Sequence, residues 1–335
     1  MARLAGGSVV TGRRAAALAC VVVLAGCSSE LPQPNPQEVP DRVPVVADVQ
    51  ADRIQGELEA ALAAGDEGLD PAPLATRVTG SALELRQARY TIRRQLPDQA
   101  APTPLGGERV VDIVPTTEGW PRYYVTVTRA DPAAVPQLLL MTQNGSRDPY
   151  QLTTFATLLP GVTLPTTAPA TEGSEALPPD EASGLAATPD AVAAQYADVL
   201  TTGTASEFAG AFAEDAFYTQ VAGEQAAESA AVGAFYGYGV THVPRQDAAW
   251  AVRTADGGAI VMAVLDSVRT FTITAPGAKL PLPPDLAVLA GKPEATGSAT
   301  VTSTEVVAFS VPPEGSEDQI QVLGAARGAV AASAP

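Results

Sequence analysis

Apolar positions recur at helical spacing early in the chain and then give way to alternation. Val49, Ile54, Leu58, Ala61 and Leu62 approximate one stripe of a helix over Ala47–Ala64, with Gly65 as its stop. Pro71 and Pro73 open a second helical segment through Leu74, Val78, Leu83 and Leu85, and Arg89–Arg93 reads as a turn to strand. Period-two alternation and β-branched residues then predict strands at Arg109–Val114, Tyr123–Thr128 and Gln137–Thr142. Asn144-Gly145, where both residues tolerate positive φ, predicts the turn into a strand over Tyr150–Leu159.

The second half restarts the same order. Pro189-Asp190 precedes a helix through Val192, Tyr196, Val199 and Leu200, and a second helical piece runs through Phe208, Phe212 and Phe217, with Ala-rich residues to 235 continuing it. Strands follow at Val240–Arg253, Ala259–Ala275, Thr296–Val311 and Gln319–Ala332, the first two joined by the turn Asp256-Gly257-Gly258. Helices first and strands afterwards, twice, predict an α+β chain of two similar domains, 44–160 and 190–335, each with N-terminal helices on a curved antiparallel sheet. Residues 161–189 are rich in Thr, Pro, Ala and Gly, lack aromatics and read as a linker. Prolines at 32, 34, 36 and 40 make residues 27–43 a Pro-rich tether. The element order resembles tandem NTF2-like or cystatin-like domains, and that resemblance implies helices packed in the concave face of each sheet.

The first 26 residues break from both periodicities. Arg3, Arg13 and Arg14 precede an apolar run from Ala15 to Ala25, and small residues then meet a cysteine in Leu24-Ala25-Gly26-Cys27. A basic head, a short apolar run and a small-residue cleavage site describe an export signal. The run is well short of the roughly 20 residues a membrane-spanning helix needs. Leu-Ala-Gly-Cys resembles the lipobox of bacterial membrane lipoproteins. The resemblance implies cleavage before Cys27, diacylation of its sulfur, and a lipid-anchored protein on the extracytoplasmic face of the cell membrane. Arg13-Arg14 would suit twin-arginine export, but Ala15-Ala16-Ala17 after them make a poor remainder of that motif, so the general route is the expectation. The Ala-rich chain with only Lys279 and Lys292 as lysines is similar to actinobacterial proteins in its bias.

Charge and residue inventory narrow the chemistry. A net charge of −17 argues against nucleic acid as a partner, because a phosphate backbone selects clustered Lys and Arg. Cys20 lies in the leader and Cys27 is consumed by lipidation, so the body has no thiol, disulfide or cysteine metal site. The single histidine, His242, lacks a nucleophile pattern around it and reads as an ordinary hydrogen-bonded residue rather than a general base. No nucleophile elbow, Walker loop or dinucleotide fingerprint occurs, no cofactor is implied, and one histidine cannot build the common zinc sets. Acids cluster at Asp66-Glu67 with Asp70, at Asp180-Glu181 and at Glu214-Asp215, without calcium-loop spacing. Each reads as a helix end, a turn or linker.

The aromatic residues Trp120, Tyr124, Tyr236, Tyr238 and Trp250 are the candidate ligand-binding set, since each offers apolar area and Tyr and Trp add a polar handle. The leading expectation is a non-enzymatic binding or scaffold lipoprotein of the envelope, its partners being membrane lipid through Cys27 and an envelope protein or small ligand. Two alternatives stand beside it. A chamber lined by Leu, Val and Phe would mark a carrier of a lipid or hydrophobic ligand. Two acids facing each other across a cleft at about 5–10 Å would mark a carboxylate-dependent wall hydrolase.

Overall fold

The computed structural model describes residues 43–232 and 236–335. The leader, Cys27, the tether up to residue 42 and Phe235 lie outside the described residues.

Helix α1 (Asp48–Gly68) buries Ala51, Ile54, Leu58 and Leu62, an i, i+3/i+4 stripe. Val49, expected on that stripe, is instead 79% exposed, because the residues that follow it set the buried face on the opposite side of the helix. Helix α2 (Gly80–Gln95) corrects the expected strand at 89–93. Ala82, Arg86 and Tyr90 recur every four residues on its buried face, so Tyr90 and Ile92 belong to a helical period rather than to alternation. Arg94 closes its last turn by donating to the carbonyl of Leu69 at 3.0 Å, beside the C-terminal end of α1.

Six strands follow: β1 (Glu108–Ile113), β2 (Pro115–Thr116), β3 (Arg122–Arg129), β4 (Gln137–Gln143), β5 (Gln151–Leu158) and β6 (Ser174–Leu177). Strand β6 arises within the segment expected to be a linker, where four residues are too few to show a period. Helix α3 (Pro189–Thr202) is capped by Thr188, whose hydroxyl accepts from the Ala191 amide at 3.1 Å. Phe208 and Phe212 flank a single 3₁₀ turn, and helix α4 (Ala216–Val232) starts only after them. The long strands β7 (Tyr236–Arg253) and β8 (Ala259–Ile273) come next. A small arm of β9 (Leu280–Pro281), α5 (Pro284–Ala290) and β10 (Glu294–Ala295) then precedes β11 (Ser298–Val311) and β12 (Gln321–Ser333).

One sheet takes ten of these strands in the order β1-β3-β4-β5-β12-β11-β8-β7-β6-β2, antiparallel except for the β6–β2 pair. Strands β1 and β2 end the order on opposite sides, yet only Val114 separates them in the chain. The sheet must therefore curl until its ends meet, close to a barrel. The two halves join a second time where Gly324 and Ala325 of β12 pair with Leu158 and Thr157 of β5. A Cβ on Gly324 would lie 2.8 Å from the Thr157 carbonyl oxygen, so this seam needs glycine. The described residues form one compact unit within which both α+β halves share the sheet.

Curling gives each central strand two buried faces. In β4, Leu138 and Leu140 point to the interior, with Val125, Met262, Val306 and Ala308. Leu139 and Met141 point outward to α1 and α2. That is why this strand reads as an unbroken apolar run. The second half repeats the scheme, with Val261, Val307 and Phe309 facing Tyr196 of α3 and Phe217 of α4. The helices thus cover the outer face of the curled sheet, not the concave face that the resemblance implied. The interior is taken up by side chains 0–2% exposed, and Tyr123 crosses it to donate to the Ala251 carbonyl at 2.7 Å.

Candidate functional site

A cleft of about 600 Å³ opens where α1, the turn before α2, the start of β3 and the β4–β5 hairpin converge. Arg53 and Ile54 reach it from α1, Arg77 from the turn, and Trp120 and Arg122 from the approach to β3. The hairpin adds Gln143, Ser146, Arg147, Asp148 and Tyr150. The expected turn at Asn144-Gly145 closes two residues later: the Asp148 amide donates to the Gly145 carbonyl at 3.1 Å. Ser146 and Arg147 therefore occupy the tip. Gln143 Nε2, donating to the Asp148 carbonyl at 2.6 Å, ties the loop back to its strand.

The cleft is cationic although the chain is acidic. Arg77 and Arg53 share Glu57, at 2.5 and 3.3 Å. Arg122 and Arg147 have no ion-pair partner among the described residues. The Arg122 guanidinium lies over the Trp120 ring, 4.4 Å from its centroid, and its buried Nε has no hydrogen-bond partner among the described residues. Trp120 itself is 39% exposed. Below them Tyr150 donates to the Val45 carbonyl at 3.0 Å and packs edge-on against Tyr124, centroids 5.3 Å apart. Burial pushes the Tyr150 hydroxyl up to about 12, opposed by the nearby charge of Arg122, so it remains a donor at neutral pH.

The five aromatic candidates do not assemble into one site. Trp120 lines the cleft, and Tyr124 sits in the core behind it. Trp250 packs against the interior of the curled sheet. Tyr236 donates to the Lys279 carbonyl at 2.8 Å, while Tyr238 donates to Glu228 at 2.8 Å and tilts against Phe271. The arginines at 53, 77, 122 and 147 were not singled out from sequence. They come from four separate segments, and only the nearness of Trp120 to Arg122 hinted at the stack.

Asp66, Asp70, Asp215 and His242 are held by internal partners. Asp66 accepts from Tyr90 at 2.6 Å and from Arg86 at 2.9 Å, and Asp70 caps the turn at Ala72. Asp215 accepts from Tyr196 and from the Tyr218 amide at the start of α4. His242 shares Thr201 Oγ1 through its amide and Nδ1, and Nε2 lies 3.6 Å from Glu305 Oε1. Arg327 Nε is 2.9 Å from the same oxygen. The side chains of His242 and Glu305 are fully buried. Glu84 of α2 and Asp266 of β8 lie together across from Thr304, and one guanidinium, Arg245, bridges both. Among the described residues no cluster of three or more His, Cys, Asp or Glu is placed to hold a metal ion. None of the described helices is long and apolar enough to cross a membrane.

The family model for a domain of unknown function, DUF8094, matches residues 42–334. The chain belongs to this family. The match begins one residue before the first described residue and runs through β12, so the DUF8094 domain takes in both helical layers and the whole curled sheet. No curated protein and no solved structure matches the chain.

Proposed function

We propose that the protein is a non-enzymatic binding lipoprotein of the cell envelope, anchored through acylated Cys27 and presenting the DUF8094 domain on the extracytoplasmic face. The two α+β halves act as lobes of one displayed body. The observation that carries the binding reading is the pair of unpaired guanidinium groups, Arg122 and Arg147, held beside an exposed tryptophan in an open cleft of a chain whose net charge is −17. Exposed cations in an acidic protein ordinarily find carboxylates, and these are held apart from them. Anchoring is supported by the leader and the lipobox-like Leu24-Ala25-Gly26-Cys27. Carriage inside the sheet is disfavoured, because interior side chains 0–2% exposed leave no room for a ligand. Hydrolysis is disfavoured because the juxtaposed acids Glu84 and Asp266 are both clamped by Arg245.

The test of anchoring is fractionation. Wild-type protein is expected with the membranes and Cys27→Ala in the soluble fraction or still joined to its leader. Equal membrane association of a processed Cys27→Ala chain would overturn the anchor.

A further inference from the structure

We propose that the arginine cleft is a binding site for a phosphate-type oxyanion, a phosphate monoester group, seated between Arg122 and Arg147. This deepens the binding reading and rests on it. The argument begins with charge. The lining carries four guanidinium groups against the single carboxylate of Asp148, and Glu57 beneath holds Arg53 and Arg77. Two positive charges remain uncompensated. A carboxylate would leave one of them, whereas a phosphate monoester carries about −1.5 to −2 near neutrality.

Geometry agrees with charge. A guanidinium is a planar fork of five donors that matches phosphate oxygens two at a time. The Arg122 guanidinium lies over Trp120 and makes no hydrogen bond among the described residues, so its terminal N–H groups remain free to donate into the cleft. Arg147 stands on the tip of a hairpin pinned by Gln143 and lines the same cleft as Arg122. Tyr150 and Trp120 close the floor and one wall with apolar area.

The phosphate has two sources, a free phosphorylated compound or a lipid headgroup. Pro44 and Val45 form part of the rim. The chain from Cys27 to Pro44 spans at most roughly 60 Å when fully extended, so an anchored protein can bring the cleft to the headgroup layer.

The experiment uses the full chain held in phosphatidylcholine nanodiscs, titrated with inorganic phosphate and, at matched ionic strength, with acetate. The readout is tryptophan fluorescence, in which Trp120 responds and the partly buried Trp250, outside the cleft, provides the constant background. Saturable phosphate binding is expected, at least tenfold tighter than acetate. It should weaken at least tenfold in Arg122→Gln/Arg147→Gln. The exposed Arg147→Gln alone, which touches no core residue, should weaken binding about threefold with an unchanged melting temperature. Adding phosphatidic acid to the discs separates the sources: a tenfold loss of apparent phosphate affinity assigns the lipid headgroup, and no loss assigns a free phosphate compound. Either result supports the site. Absence of saturable phosphate binding, acetate binding as tight as phosphate, or wild-type binding by Arg147→Gln and the double variant would overturn it. Retention of the chain on the discs reads the anchor independently, and titration of an unretained chain proceeds in solution.

Discussion

Replacing Arg245 with alanine should loosen the grip of the first half of the chain on the second. Arg245 on β7 donates to Glu84 of α2 at 2.9 and 2.7 Å, to Asp266 of β8 at 2.9 and 2.7 Å, and to Thr304 of β11 at 2.9 Å. It is the ion pair through which α2 holds the long strands. A fully buried charge-assisted hydrogen bond contributes about 1.5–3 kcal/mol. The three charged side chains here are 26%, 40% and 34% exposed, so water screens them. Each pair is then nearer the exposed-pair range of about 0.5–1 kcal/mol. Arg245→Ala should cost about 1–2 kcal/mol, and the coupling between Arg245 and Glu84 should be about 0.5–1 kcal/mol. The assay is urea unfolding of wild type, Arg245→Ala, Glu84→Ala and the double variant, read by fluorescence and circular dichroism. Unfolding should be a single transition in all four proteins, because both halves share one sheet. A coupling near zero, or two transitions of which Arg245→Ala moves only one, would refute the reasoning.

Two further perturbations probe the seam and the helical layer. Gly324→Ala places a Cβ 2.8 Å from the Thr157 carbonyl oxygen and should cost about 1–3 kcal/mol in chemical unfolding, whereas Gly239→Ala, with open space around it, should stay within about 0.5 kcal/mol. Burial raises the Asp215 carboxyl above its ordinary value, although the Tyr218 amide and Tyr196 hydroxyl pull the other way. Between the ordinary aspartate range and the raised folded value, the folded chain holds a proton that the unfolded chain has lost. Stability from this group is therefore greatest in acid and declines as pH rises through that window. Asp215→Asn should flatten this part of the stability–pH profile; a wild-type slope of opposite sign, absent in the variant, would contradict the assignment.

The elements that the sequence made legible are those whose signal is local and long. Strands β7, β8 and β11 alternate or stay β-branched for 14 residues or more, and α1 carries its stripe over several turns. Strand β6, with four residues, and α5, with seven, are too short to establish a period. At 89–93 aromatic and β-branched residues imitated a strand, while the deciding contacts of Tyr90 and Arg86 are with Asp66 on another helix. Closure of the sheet was hidden for the same reason. It depends on β1 and β2 pairing at opposite ends of the order, and on two residue pairs between β5 and β12. The cleft follows the rule too: Trp120 was visible as an aromatic, but its meaning comes from arginines brought in by other segments.

The most direct test of the central claim is the intact mass of the protein recovered from its native membranes. A chain that begins at Cys27 and carries a diacylglyceryl group on that sulfur is the predicted result. An intact bond between Gly26 and Cys27, or a free thiol on a processed Cys27, contradicts it.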